Sequence, residues 1–275
     1  MKFLSSTILL LVFLIFSVKA QKHQLVKLWE TDTLAVPESA LPDFEKKIMY
    51  VTLIDGGGWT PDGKGGVGIV DFKGKILDTL WITGLNAPKG MGRIGNTLYV
   101  ADIKEVVVID MKAAKIVSKI AIDGAVALND ITVGPKNVIY VSDSRTGKIH
   151  RIENNRPSVW LEGITNVNGL SAVGSDLYIA GGVEFLKAGP DKKITKIADG
   201  FPETGDGLVR LKNGDFLLSC WAGLLYYIYK DGSAELLMDT EDTGMNIADL
   251  GYNPAENIIY VPTFNKKSII AYQLK

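Results

Sequence analysis

A recurring set of charged and amide residues is what this chain offers for chemistry. Glu38 stands in Pro37-Glu38-Ser39-Ala40 and Lys89 in Pro88-Lys89-Gly90-Met91. Asn129 and Asp130 follow in Leu128-Asn129-Asp130-Ile131, then Asn168 in Val167-Asn168-Gly169-Leu170 and Asp206 in Gly205-Asp206-Gly207-Leu208. The series ends with Asn246 or Asp249 in Asn246-Ile247-Ala248-Asp249-Leu250. Carboxylate and amide oxygens without His or Cys are what a hard cation selects: Ca²⁺, Mg²⁺ or Mn²⁺. Structural and catalytic zinc sites draw on His and Cys; this chain has only His23, His150 and the single Cys220. Asn, Asp and Gly also form turns for their own sake, which covers any one of these positions. It covers Glu38 and Lys89 poorly, since neither is a turn former.

Such residues act together only if the fold brings them together, and the chain repeats in a way that would. Aromatic-centred apolar runs place Tyr50, Tyr99, Tyr140, Tyr178, Phe216 and Tyr260 at intervals of 49, 41, 38, 38 and 44 residues. A period near forty, built of short strands alone, is the signature of a β-propeller with one blade per repeat. Each repeat offers a third strand, such as Val106 to Ile109 and Lys148 to Ile152, and five offer a fourth, such as Ile116 to Ile122. Turn pairs such as Lys73-Gly74 and Asp231-Gly232 separate them. The sixth repeat runs out after Tyr272, and Leu25-Val26-Lys27-Leu28-Trp29 supplies a spare strand at the other end. The expected fold is therefore all-β: a six-bladed β-propeller closed by pairing of the N-terminal strand into the last blade, which removes the open edges. The candidate residues from Glu38 to Asp206 lie ten to twelve positions before their aromatic strands. That places one per blade at a single mouth of the central channel.

In their order along the chain these turns resemble those of the senescence marker protein/gluconolactonase/luciferin-regenerating-enzyme-like (regucalcin-like) family. Glu38 matches its first-blade Glu and Asn129-Asp130 its central Asn-Asp. Asn168-Gly169-Leu170 matches its Asn-Gly-Leu, and Asp206-Gly207 its Asp-Gly. The resemblance implies a six-bladed propeller with one divalent cation, held by Glu38, Asn168 and Asp206 with Asn129 at or beside it. Ca²⁺ is the first expectation, with Mg²⁺, Mn²⁺ or Zn²⁺ as alternatives. It implies a metal-dependent hydrolase of the lactonase type acting on a small lactone or ester, with Asp206 as general base and Asn129 near metal or substrate. The chain departs from the pattern where Ser39-Ala40-Leu41-Pro42 follows the Glu, and at Ala127, where the family often carries a substrate-gripping Arg. Lys89 is then the candidate cation for an anionic substrate group, with Asp130 and Asp249 also assigned to substrate. Asn129-Asp130-Ile131 is also similar to the paraoxonase version of this turn, in which the Asp serves a buried structural calcium.

The rest of the sequence bounds these readings. Lys2, the apolar run Ile8 to Phe16 and Val18-Lys19-Ala20 read as a secretory signal over 1–20, with one propeller domain over 21–275. The product is expected to be secreted or periplasmic, free of the membrane once the signal is removed, and monomeric. The net charge of −1 gives no basic field for nucleic acid. Cys220 has no partner for an intrachain disulfide and sits in an apolar run that reads as a buried strand. Gly58-Trp59-Thr60-Pro61-Asp62-Gly63-Lys64-Gly65 imitates a phosphate-binding loop, but it lacks the following Ser/Thr and leads into a strand. It reads as a long hairpin loop of blade 1 overhanging the channel. Asp239 to Gly244 imitates part of an EF-hand loop but has Leu250 where the closing acid belongs. The rival function is a non-catalytic NHL-like propeller that binds a protein or small ligand, with Trp59 and Trp221 as candidate contact residues. A propeller lyase is a third reading; it would want a His base, and only His150 is a candidate.

Overall fold

A computed structural model of the chain describes residues 22–275; the secretory segment expected over 1–20 lies outside the described residues. The chain opens with β1 (Leu25–Glu30). Blade 1 follows with β2 (Pro37–Asp43), β3 (Ile48–Leu53), β4 (Gly65–Asp71) and β5 (Ile76–Leu85), and blade 2 with β6 (Pro88–Ile94), β7 (Thr97–Asp102), β8 (Glu105–Asp110) and β9 (Lys115–Ala121). Blade 3 holds β10 (Leu128–Val133), β11 (Ile139–Asp143), β12 (Lys148–Glu153) and β13 (Arg156–Leu161); blade 4 holds β14 (Val167–Val173), β15 (Asp176–Gly181), β16 (Glu184–Ala188) and β17 (Ile194–Asp199). Blade 5 has β18 (Gly205–Arg210), β19 (Phe216–Cys220), β20 (Leu224–Ile228) and β21 (Ala234–Asp239). Blade 6 has β22 (Gly251–Asn253), β23 (Ile258–Pro262) and β24 (Ile269–Leu274), and β1 completes it in the order β1-β24-β23-β22. The expected six-bladed propeller and its closure by the N-terminal strand are both present.

Burial explains why these segments form sheets of this kind. A second strand such as Phe216–Cys220 is buried at every residue, because it is covered by the blades on either side; its sequence is accordingly apolar but for Ser219. An outer strand such as Lys115–Ala121 alternates polar residues into solvent. Among the described residues the core is six large clusters, one between each pair of adjacent blades, and a small seventh of Ile54, Ala87 and Ile103. Leu98, Val100 and Ile109 of blade 2 pack on Tyr50 and Val67 of blade 1, and Tyr260 and Ala271 of blade 6 pack on Met49 and Val51 of blade 1. The repeated aromatic therefore belongs to the seam between blades, and the ring is stabilised only when every blade has two neighbours.

Candidate active site at the channel mouth

One local device places the candidate residues. In each of the first five blades the pairing of the innermost strand with the second slips at one point. The slips fall between Pro37 and Ala40, Pro88 and Met91, Leu128 and Ile131, Val167 and Leu170, and Gly205 and Leu208. The residues inside those slips are Glu38-Ser39, Lys89-Gly90, Asn129-Asp130, Asn168-Gly169 and Asp206-Gly207. A β-bulge adds a residue to one strand and re-aims its side chain, and here it does so once per blade. Glu38, Lys89, Asn129, Asn168 and Asp206 thus sit inside the first strands, each one residue past its strand's start.

Buried hydroxyls hold three of the bulges. Thr52 Oγ1 accepts from Ser39 N at 2.9 Å, Ser142 Oγ from Asp130 N at 2.9 Å and Ser219 Oγ from Gly207 N at 2.8 Å. Acidic residues closing the second strands fix the loops that lead in. Asp102 accepts from Asn86 N and Ala87 N ahead of Lys89, and Asp143 from Val126 N and Ala127 N ahead of Asn129. Glycine is required at Gly169, where a side chain would collide with the backbone carbonyl of Asp206. The inner strands of blades 4 and 5 come that close.

The result is a cavity of about 430 Å³ whose floor is Glu38, Lys89, Asn129, Asn168 and Asp206. Gly58 and Trp59, Trp221, and Phe264 wall it. The loop before β4 overhangs the channel as expected: Lys89 Nζ donates to Gly58 O at 2.8 Å and lies 4.5 Å from the centre of the Trp59 ring, with the Arg145 guanidinium 5.4 Å from the same ring. Asn168 Nδ2 donates to Asp206 Oδ1 at 2.6 Å, and Asn129 Nδ2 to Ser144 Oγ at 3.1 Å. Glu38 Oε2 is buried without any hydrogen-bond partner.

Asp130 and Asp249 lie one step further along the channel and line a separate cavity of about 470 Å³ that opens past Pro42 and Phe44. Asp130 is held from both sides, by Ile131 N and by Leu170 N of the next blade, each at 2.6 Å. Asp249 accepts from Ser39 Oγ, and its N–H donates to Glu38 O at 3.0 Å, so it ties blade 6 to blade 1. Asn246 donates to Trp221 O at 3.0 Å. Five of the expected site residues therefore share one cavity, and the two aspartates assigned to substrate face another.

The electrostatics follow from burial. Desolvation holds the Glu38 carboxyl well above the usual carboxylate range; the Lys89 ammonium opposes this, while Asp206 and Asp249 add to it. Burial pushes Asp206 up to about 7, with Asp249 reinforcing the shift and the Asn168 hydrogen bond and Lys89 opposing it. Desolvation lowers Lys89 against the pull of Glu38, Asp206 and Asp102. Asp249 is pushed up to about 6 by burial, against hydrogen bonds from Ser39 and Leu250 N.

A divalent cation fits this donor set. Among the described residues no three His, Cys, Asp or Glu side chains gather as a metal site made of those types alone would need. The floor instead combines two carboxylates with two amide groups. Both amides use Nδ2 on a protein partner, and Glu38 Oε2 has none. An uncompensated buried carboxylate oxygen is costly, and a hard cation is one group that would relieve it.

The remaining candidates for chemistry lie elsewhere. His150 is buried in β12, its Nε2 4.0 Å from Asp143 Oδ2, and is not part of the cavity lining. Cys220 is buried, and its thiol is pushed up to about 12 by desolvation. The sequence pattern did not single out Phe264, Arg145, Ser144 or the bulge hydroxyls. Ser142 and Ser219 could have been found by their shared place, third after the aromatic-strand start in Ile139-Tyr140-Val141-Ser142 and Phe216-Leu217-Leu218-Ser219.

A six-bladed propeller with a polar-floored, aromatic-walled cavity at one mouth of its channel is the class these features define. No protein-family model matches the chain, and no curated protein matches it. Solved structures do. A gluconolactonase from Xanthomonas campestris superimposes with a TM-score of 0.69 at 14% identity, over 92% of this chain and 90% of that one. A catalytically inactive histidine-to-alanine variant of virginiamycin B lyase from Staphylococcus aureus, solved with quinupristin, gives 0.64 at 15% identity over 92% and 99%. The extracellular domain of a hybrid two-component system from B. thetaiotaomicron gives 0.58 at 13% identity, with 86% of this chain covering 33% of that one. At such identities the likeness shows the fold alone. No helix among the described residues is long and apolar enough to cross a membrane.

Proposed function

We propose that the mouth cavity is the active site of a secreted, monomeric, divalent-metal-dependent hydrolase of the lactonase type, acting on a small lactone or ester. The observation that carries this reading is Glu38: a fully buried carboxylate with an unpartnered oxygen, in one cavity with Asp206, Asn129, Asn168 and Lys89. A scaffold that merely bound a partner would have no use for that cost. The architecture shared with a gluconolactonase and with virginiamycin B lyase supports the reading of an enzyme.

Glu38, Asn168 and Asp206 would hold the cation, Ca²⁺ first among the candidates, with Asn129 at or beside it. When bound, the cation supplies Lewis-acid polarisation of the carbonyl and acidifies a water. Asp206, elevated by burial and steadied through Oδ1 by Asn168, takes the proton of the attacking water. The water oxygen bonds to the carbonyl carbon, the ring C–O bond breaks, and the proton passes to the departing alkoxide, giving a hydroxy acid. Lys89, held by Gly58 O and the Trp59 ring, has N–H groups left for the product carboxylate.

The test is pH-stat hydrolysis of sugar and aliphatic lactones by the mature protein with Ca²⁺, Mg²⁺, Mn²⁺, Zn²⁺ or chelator. Metal-dependent acid release that falls about 10²-fold or more in Asp206→Ala, with the circular dichroism unchanged, is the expected result. An undiminished rate in that variant would remove Asp206 from the mechanism, and silence across the panel would sink the hydrolase.

A further inference from the structure

The walls of the cavity deepen that reading by naming the substrate. Resting on the lactonase proposal, we infer that the site takes lactones or esters bearing an apolar chain and discriminates against polyhydroxylated sugar lactones.

The floor's hydrogen-bonding groups are five side chains, and three of them are partly committed to protein partners. Asn129 Nδ2 is used by Ser144, Asn168 Nδ2 by Asp206, and Lys89 Nζ already donates to Gly58 O. What remains is one N–H on each amide and the other Lys89 protons, enough to seat one carbonyl and its developing charge, beside the free carboxylate and amide oxygens. A sugar lactone brings a hydroxyl on nearly every ring carbon, and each hydroxyl must shed water on entry and find a partner. Above the floor it would meet rings.

Trp221 and Phe264 form an edge-to-face pair. Trp221 stays 45% exposed at the mouth, its ring centre 5.5 Å from that of Phe264 with the planes at 80° and its backbone carbonyl fixed by Asn246. Phe264 has φ 46, a left-handed conformation that a bulky residue adopts only when its surroundings impose it. They do so here. Lys267 N donates to Phe264 O at 3.0 Å, and Thr263 Oγ1 donates to Ser268 O at 2.8 Å beneath the same turn. The Phe264 ring leans on the buried cluster Ile54, Ala87 and Ile103. A strained turn thus places a half-buried aromatic side chain with one side on that cluster and another in the cavity lining. Trp59, across the mouth, has its ring engaged by Lys89 and Arg145. The free apolar wall is therefore the Trp221–Phe264 side. A substrate carbonyl over Glu38, Lys89 and Asp206 would send its substituent toward that wall, and burying the substituent there removes apolar surface from water on both partners.

The experiment measures kcat/KM of the Ca²⁺-loaded protein for γ-butyrolactone, γ-hexalactone, γ-octalactone, γ-decalactone and glucono-δ-lactone. The inference expects kcat/KM to rise about tenfold or more along the alkyl series, chiefly through KM, with glucono-δ-lactone below the octalactone. Trp221→Ala should flatten the series and Trp221→Phe should restore part of the slope. A flat series in the wild type, a preference for glucono-δ-lactone, or an equally steep series in Trp221→Ala would overturn it. If no lactone is hydrolysed, the hydrolase reading fails by itself, and binding is read by tryptophan fluorescence and calorimetry. Binding that tightens with chain length keeps the inference, and γ-decalactone binding no better than γ-butyrolactone overturns it.

Discussion

Glu38 concentrates the residue-scale problem, because folding puts a carboxylate where neither water nor a donor meets one of its oxygens. Lys89 is the compensating charge in the cavity, and its Nζ donates to Gly58 O and lies over the Trp59 ring, while Glu38 Oε2 accepts from no group. The burden on the metal-free protein should therefore be visible. Glu38→Gln keeps the shape and removes the charge, so with chelator present it should melt no lower than the wild type. Saturating Ca²⁺ should separate the two in the opposite sense. A ligand bound only by the native state adds about 2.7 kcal/mol at a hundred times its dissociation constant, a rise in melting temperature of roughly 5–10 °C for a domain this size. The wild type should show that rise and Glu38→Gln should lose most of it. Scanning calorimetry of both proteins with Ca²⁺ and with chelator measures the difference, and equal Ca²⁺ shifts would remove Glu38 from the cation site.

At the scale of the element, the bulge turns an ordinary edge of the channel into a site, and its supports are hydroxyls of the second strands. Ser219 is fully buried; it accepts from Gly207 N and donates to Ala248 O at 2.9 Å, fastening the Asp206 bulge to blade 6. Ser219→Ala leaves a donor and an acceptor unpaired in the interior, which should cost about 1–3 kcal/mol and lower turnover by displacing Asp206. Ser233→Ala, an exposed turn serine bonded to Asp231, should change stability by less than about 0.5 kcal/mol. Urea unfolding of the two variants separates a bulge support from a generic serine effect. This is also where legibility divides. Repeat spacing exposed the five floor residues because each of the five blades spends ten to twelve residues between its bulge and its aromatic. It did not separate Asn129 from Asp130, since neighbours on a bulged strand look alike in sequence while facing different cavities. Phe264 was hidden for another reason: it belongs to the blade 6 loop between second and third strands, after Pro262, and reaches the mouth through its own left-handed backbone rather than through the repeat.

The whole ring depends on its first residues, and the same spacing argument that found six blades also found the strand that closes them. β1 pairs with β24 from Leu25↔Leu274 to Glu30↔Ile270, and Trp29 Nε1 donates to Phe72 O of blade 1 at 3.0 Å. The composition gave no sign that the chain ahead of β1 reaches back to blade 5. There Glu235 accepts from Lys22 N at 2.7 Å and His23 N at 3.0 Å, and from Tyr229 OH at 2.7 Å, while the His23 ring stacks on Tyr227 at 3.9 Å. One segment thus touches blades 5, 6 and 1 and acts as the clasp of the circle. Desolvation would raise the Glu235 carboxyl, but the hydrogen bonds from Tyr229, His23 and the backbone outweigh it and pull the group down to about 2. A carboxylate whose value falls on folding stabilises the native state fully above its unfolded value of roughly 4.3 and loses that contribution as pH drops toward the folded value. Glu235→Gln should therefore lower the melting temperature at pH 7, and the gap to the wild type should narrow steadily between about pH 5 and pH 2. Removing residues 21–30 goes further, since it strips the clasp and leaves β24 as an open edge of a four-stranded blade reduced to three; that protein should aggregate rather than fold. A gap that stayed constant down to pH 2, or a soluble and cooperatively melting truncation, would mean that the ring is closed by the blade seams and not by its first ten residues.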